Sequence, residues 1–426
     1  MKGRTLLVLA LLGLVLAGAA AWLAADRKPA GTESLQRDLL LPGLGSQLNA
    51  IDRVRIASAA GEAVLERGDD GWHMADRGGW PADTGKLREL LLALSEARTL
   101  EPKTANPELH AKLGVEDVGE GNGTGALVEL SAGESRHALI VGNASASGSY
   151  ARLAVVPQSW LLDRQVSVSK DPKDWLEREL TQIDAQRVAS VHVAHAEGQP
   201  VDIAARDPGP GFDITNLPKG REPASDYVAE ATAGFLSALR LDDVARADDA
   251  PFADDAALSH ARFTLRDGIV VALDYLKDEA GVKARFDVSL DEAAAEAFAA
   301  AEQGRAAMEW ERTHPASAAA ADAGEADAEA DGGDDAEDGG SDAPAADDAG
   351  ADEADDAEAD EADEADEKAP LAVTDPEADR AARLAAIRAE AGQLEQRLEG
   401  WIFTLPSYKA EHLTKPLSGY LAPEGD

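Results

Sequence analysis

The apolar positions along the chain change period at recognisable points. In Ile51-x-x-Val54-x-Ile56, and again in Val188-x-x-Val191-x-Val193, the spacing predicts short strands with one buried face. Between residues 83 and 98 the period lengthens. Leu87, Leu90, Leu91 and Leu94 recur at i, i+3, i+4 and i+7, which predicts an amphipathic helix capped by Asp83. Behind Ser225, read as the second helix's cap, the residues Val228, Phe235, Leu236 and Leu239 predict a second, less dense stripe. Each helix closes on a related phrase, "LSEAR" at 94–98 and "LSALR" at 236–240. A pair of strands follows each: "ALVEL" with "RHALIV", and "ARFTL" with "IVVALDY", joined by turns rich in Gly, Asp and Ser. One more strand follows in each half, "ARLAV" from 151 and "ARFDV" from 284.

The two series run in parallel, which predicts a duplicated unit. Trp72 answers to Phe212, and "VSKDPKDWL" (168–176) answers to "LTKPLSGYL" (413–421). Val155 is followed five residues later by Trp160, whereas Val288 waits 113 residues for Trp401, so the second copy carries a long insertion. Trp72, Phe212, Trp160 and Trp401 are the expected core anchors. Ser289-x-x-Glu292 and Thr374-x-x-Glu377 read as capping boxes opening two helices of the insertion. The second of these helices shows Leu384, Ile387, Ala391, Leu394 and Leu398 at steps of three and four, as a coiled-coil seam does. Between the helices, residues 315–369 hold no apolar side chain larger than Ala and Pro, and this stretch reads as disordered.

Ahead of all this, Thr5 to Ala25 is a run of 21 residues without a charge. As a helix it would be about 31 Å long, enough to cross a bilayer core. Lys2 and Arg4 before it, and Asp26 offsetting Arg27 and Lys28 after it, predict a cytoplasmic tip and an external body. The domain organisation that follows has an anchor at 1–25 and a linker at 26–46. Module 1 covers 47–178, and module 2 covers 179–290 plus 400–426. The insertion occupies 291–399. The fold class is α+β: a transmembrane helix, then two tandem copies of a largely antiparallel sheet-plus-helix module, the second interrupted by a helical hairpin with an acidic loop.

Charge sharpens the picture. The formal charge is −41, but residues 322–367 hold 23 acids and no Lys or Arg, leaving −18 for the remainder. Such a balance argues against a nucleic-acid partner, which needs clustered basic residues. With no cysteine there is no disulfide, thiolate metal site or Cys nucleophile.

Candidate chemistry is thin. His192 and His195 stand three apart in "VHVAH", an odd spacing that sends them to opposite faces of a strand and away from a shared metal. The run "GEGNGTG" (119–125) lacks the following helix and Lys-Ser/Thr pair of a phosphate cradle, so it reads as a loop. Asp327, Glu329, Asp331, Gly332 and Asp338 approximate a calcium-loop spacing without flanking apolar helices, and diffuse cation condensation is the expected behaviour. Asn122 and Asn143 fit a glycosylation pattern but read as turn residues, and Asp163, Asp171 and Asp174 read as solvated carboxylates. No catalytic, cofactor-binding or metal-ligating residue is assigned, no cofactor is implied, and the chain reads as a non-enzyme.

A short basic N-terminus, one span and tandem units of the form V-x-I, Trp, helix, strand, strand and Ala-Arg resemble the uncharacterised bacterial family termed domain of unknown function 4340 (DUF4340). The resemblance covers nearly all the chain outside the acidic insertion. It implies a single-pass protein of the cytoplasmic membrane with its body on the periplasmic side, similar to components that accompany gliding-motility-type ABC exporters. ABC-type permease and ATPase components are then the implied partners. The alternative is an envelope glycan- or peptide-binding module whose two copies act through avidity.

Overall fold

A computed structural model of the chain describes residues 38–119, 123–225, 227–248, 252, 258–279, 281–315 and 369–423. The expected span at 5–25, most of the linker, and the acidic run at 316–368 lie outside the described residues. Among the described residues, no helix is long and apolar enough to cross a membrane.

The described chain is mixed α+β with antiparallel sheets. A first sheet of nine strands is built from β1 (Arg53–Ser58), β2 (Gly61–Gly68), β3 (Gly71–Met74), β4 (Trp80–Pro81), β5 (Thr99–Pro102), β6 (Ala126–Ala132), β7 (Ser135–Ala144), β8 (Ser149–Leu153) and β9 (Ser159–Leu162). Its order is β4-β3-β2-β1-β6-β7-β8-β9-β5. A short strand β10 (Glu179–Thr181) precedes the second series: β11 (Val188–Ala194), β12 (Val201–Ala205), β13 (Phe212–Ile214), β14 (Leu239–Arg240), β15 (Asp243–Arg246), β16 (Ser259–Leu265), β17 (Ile269–Asp278), β18 (Gly281–Leu290) and β19 (Trp401–Leu405). β10 pairs with β14, and the other strands form an eight-stranded sheet ordered β13-β12-β11-β16-β17-β18-β19-β15. Started at β3 and at β13, the two orders run in step, strand for strand.

The same correspondence reaches the registers. Trp160 on β9 faces Pro102 of β5, and Trp401 on β19 faces Arg246 of β15. Each series also closes on a single bridge, Ala82 with Leu176 and Pro223 with Leu421. The flanking bonds match too: Asp83 N–H donates to the Trp175 carbonyl at 2.8 Å, and Ala224 N–H to the Tyr420 carbonyl at 2.8 Å.

The chain divides into two compact units. The first comprises the described residues up to Glu179, with Arg240–Phe252 and Trp401–Pro406. Helix α1 (Thr84–Glu96) begins where expected: the Asp83 carboxylate accepts from Lys86 N–H at 2.9 Å, and Leu87, Leu90, Leu91 and Leu94 are buried. Trp80, 1 % exposed, stands edge-on to Trp401 and Phe403 with ring centroids 5.1 and 5.2 Å away. Its indole N–H donates to the Glu177 carbonyl at 2.8 Å, so the polar edge is satisfied as well as the faces. Asp243 of β15 accepts from Arg77 at 2.8 Å and lies 3.3 Å from Lys173. In the β7–β8 connection a Cβ on Gly148 would stand 2.0 Å from the Leu162 carbonyl oxygen. Gly148→Ala is therefore expected to push that connection off β9 and cost about 1–3 kcal/mol, read as a lowered urea midpoint.

The second unit comprises Leu180–Leu239, with the described parts of 253–400 and 407–426. Its sheet buries Val191, Val193, Phe263, Val271, Leu273 and Tyr275. Its helices are α2 (Val228–Ala233), α3 (Glu292–Thr313), α4 (Pro376–Leu398) and α5 (Ser407–Thr414). α3 and α4 lie antiparallel: Glu292 at the start of α3 pairs with Arg388 midway along α4, and Gln303 donates to the Ala372 carbonyl just before α4. Ile387, Ala391 and Leu398 are buried, and α4 rests on β18 as well as on α3, so the stripe serves a sheet and a helix together.

Four sequence expectations need correction. Ser289 pairs with Val270 in the β17–β18 ladder, and Asp291 caps α3 by accepting from Ala294 N–H at 3.1 Å. Thr374 ends a one-turn helix, and Asp375 caps α4 by accepting from Ala378 N–H at 3.0 Å. α2 has no side-chain cap and ends at Ala233; Gly234–Leu236 is a 3-10 turn and Leu239 lies in β14, so Ser225 caps nothing and the predicted stripe is split. Trp160 is half-buried, unlike Trp72, Phe212 and Trp401, which are 7–9 % exposed.

Candidate functional site

In the first unit, β2 and β3 turn through Asp69-Asp70, with Gly71 at φ +137°, a backbone that favours glycine. The turn sets Arg67 opposite Trp72 across the hairpin, the guanidinium 5.1 Å over the indole ring. Arg67 also donates to the Asn49 carbonyl at 2.7 Å, tying the hairpin to the 3-10 turn Leu48–Ala50. One side of α1 faces the same space. Leu48, Arg67, Trp72, Leu87, Arg88 and Leu92 line a cleft of about 480 Å³. Leu92 is 45 % exposed although it is a leucine on a structured helix. Among the described residues, the only charged groups lining the cleft are Arg67 and Arg88, and no carboxylate pairs with either.

The second unit has a cleft at the matching place in its own strand series: between the 3-10 turn Ala185–Arg187 before β11, the β12–β13 connection, and α2. It is larger, about 650 Å³, and carries both signs of charge, with Asp184, Glu230, Arg266 and Arg305 on its walls. Arg266 donates to the Gln186 carbonyl at 3.0 Å, and the Asp184 carboxylate accepts from Gln186 N–H at 2.8 Å. Arg305 comes from α3 and pairs with Glu302. Phe212 takes the position that Trp72 holds in the first unit.

The residues singled out in the sequence are held apart. His192 is exposed on β11 and bonds Asp202 of β12 at 2.5 Å. His195 lies past the end of β11, its Nδ1 3.3 Å from the Tyr275 hydroxyl, and burial depresses its pKa against a backbone hydrogen bond at Lys415. The Tyr275 hydroxyl donates to the Leu413 carbonyl at 2.7 Å, and burial raises its pKa. Asp163 accepts from Arg98 N–H, Asp171 caps the 3-10 turn Pro172–Trp175, and Asp174 pairs with Arg178. Asn143 lies 3.5 Å from the Thr124 hydroxyl. Asn122 and the calcium-like spacing at 327–338 lie outside the described residues, as do positions 120–122 of the Gly-rich run. Among the described residues no group of three or more His, Asp or Glu side chains is placed to hold a metal.

One carboxyl on the second unit's sheet has a shifted pKa. Burial raises the Asp274 pKa, but hydrogen bonds from Arg285 at 2.8 Å and His260 at 2.5 Å outweigh it and hold the carboxyl below its usual value. A depressed folded pKa contributes stability above the unfolded value of about 3.9 and loses it as pH falls through the folded value. Asp274→Asn is therefore expected to flatten the acid limb of a plot of urea midpoint against pH below about pH 4. An unchanged limb would show that this pairing carries no linkage.

The residues of the first unit's cleft come from three separated segments, and only "ERGDDGWHM", with Arg and Trp flanking a tight turn, hints at them in the sequence. No curated protein and no solved structure matches the chain. A family model described as a domain of unknown function matches residues 72–260, from β3 into β16, and so takes in strands of both series. That model is of the family DUF4340, to which the chain is similar through that stretch.

Proposed function

We propose that this chain is a single-pass, membrane-anchored, extracytoplasmic accessory protein of an ABC-type export system, built from two copies of one module and acting by binding rather than catalysis. The anchor rests on the 21-residue uncharged run from Thr5 to Ala25. The duplication is supported by the matching strand orders and by the paired closures at Ala82–Leu176 and Pro223–Leu421. This strand-for-strand correspondence is the observation that carries the reading, because a repeated scaffold offers two related surfaces to one assembly. Mild extraction followed by affinity purification of the full chain tests the partner. The expected result is co-recovery of an ABC permease or ATPase, and recovery without either, under conditions that keep other such complexes intact, contradicts it.

A second reading, a peptide- or glycan-binding module, draws support from the first unit's cleft. The peptide form is favoured over the glycan form. Glycan platforms use exposed aromatic faces, and among the described residues no strand carries an exposed aromatic; the exposed tyrosines, Tyr227 and Tyr408, lie outside the strands.

A further inference from the structure

We infer that the cleft of the first unit is a docking site for a short extended segment of a partner protein that presents an apolar side chain beside a carboxylate. The inference deepens the peptide-binding reading and is independent of the membrane and transporter assignments. The floor is apolar: Trp72 and Leu91 are 9 % and 8 % exposed, and Leu48 and Leu87 complete it. Its mouth keeps Leu92 in water at 45 % exposure. A solvent-exposed leucine beside a buried indole is surface that a partner side chain would remove from water.

Charge selects the partner. Acidic residues outnumber basic ones 81 to 40 in this chain, and many of its described arginines pair with a carboxylate. Arg53, Arg55, Arg77 and Arg178 in the same unit are all paired in this way. Among the described residues no carboxylate pairs with Arg67 or Arg88; Arg67 is held by a carbonyl and an indole face. Two uncompensated guanidinium groups bordering an apolar floor suit an acidic-apolar peptide, since a guanidinium binds a carboxylate through charge-assisted, often bidentate hydrogen bonds. The volume of about 480 Å³ holds two or three side chains and not a helix.

The test uses the full-length chain with 5-fluorotryptophan, the Trp72 resonance being assigned through Trp72→Phe. The probes are the blocked hexapeptide Ala-Leu-Asp-Phe-Glu-Ala, its Asn/Gln counterpart, and dodecanoate. The acidic peptide is expected to shift the Trp72 signal saturably and to bind more tightly than the amide version. Arg88→Glu is expected to weaken it about ten- to a hundredfold with an unchanged melting temperature. Arg88→Lys is expected to restore part of that loss. Equal binding of the acidic and amide peptides would overturn the charge selection while leaving peptide binding in place. No shift with either peptide would overturn both, and a response to dodecanoate alone would assign the cleft to a lipid-like ligand instead.

Discussion

Replacing Trp80 by alanine is expected to lower the stability of the first unit by about 3–5 kcal/mol, the range for deleting a fully buried aromatic side chain. Trp80 is 1 % exposed, and three separate partners depend on it: the Trp401 ring, the Phe403 ring and the Glu177 carbonyl. Without the indole, the carbonyl loses its donor and the two rings lose an edge-on neighbour, each edge-on pair being worth about 0.5–1.5 kcal/mol beyond area. In calorimetry the transition of this unit should fall by about 10 °C. Trp80→Phe should keep much of the packing but not the hydrogen bond, and fall between. A Trp80/Trp401 double-mutant cycle should return a coupling of about 1 kcal/mol. Additive single losses would show that the rings are neighbours without mutual stabilisation. The same geometry predicts that a chain ending near residue 179 exposes Trp80, because Trp401 and Phe403 come from the far end of the sequence.

Arg187→Met is expected to cost the second unit about 2–4 kcal/mol. The Asp267 carboxylate, 5 % exposed, accepts two hydrogen bonds from Arg187 at 3.2 and 2.6 Å. The other edge of the same guanidinium reaches Glu390 of α4 at 2.7 and 3.0 Å. Removing one member of a buried pair strands the other, which typically costs about 3–5 kcal/mol; the 34 % exposure of the Arg187 side chain reduces that by solvent screening. Two readouts separate the two arms of the bridge. Equilibrium unfolding reports the stranded Asp267, and hydrogen exchange in α4 reports the lost tie to Glu390. Asp267→Asn in the Arg187→Met background should recover part of the loss, since an amide is less costly to bury than a charge. If Arg187→Met alone is neutral, the insertion is held by the packing of Ile387, Ala391 and Leu398.

Much of this architecture was legible in the sequence because strand alternation and a leucine stripe are short-range signals. Val54 and Ile56, Val191 and Val193, and the leucines of α1 all point inward as their spacing requires. The caps of α3 and α4 were missed by one or two residues for a specific reason. Ser289 and Asp291, like Thr374 and Asp375, are equally good caps locally; the β17–β18 ladder claims Ser289, and the one-turn helix Leu371–Thr374 claims Thr374. Leu239 fitted a helical stripe, but the turn at Gly234 and the pairing of β14 with β10 took precedence over it. The edge strands β5 and β15 carry little alternation, and pairing with β9 and β19 defines them. The cleft was not legible because its lining is assembled by topology. Arg67 and Trp72 are close in sequence, but Leu48 and Arg88 join them only through the fold.

The claim on which the rest depends is that two series of strands repeat one scaffold. Residue-resolved hydrogen exchange on the full-length chain tests it most directly, because protection depends on a strand's place in its sheet. The account predicts the slowest exchange at the sheet centres, in β1, β6 and β7 of one series and in β11, β16 and β17 of the other, with faster exchange at β3 and β13 and at β5 and β15. Protection confined to one series, or centred on strands that do not correspond, would contradict it.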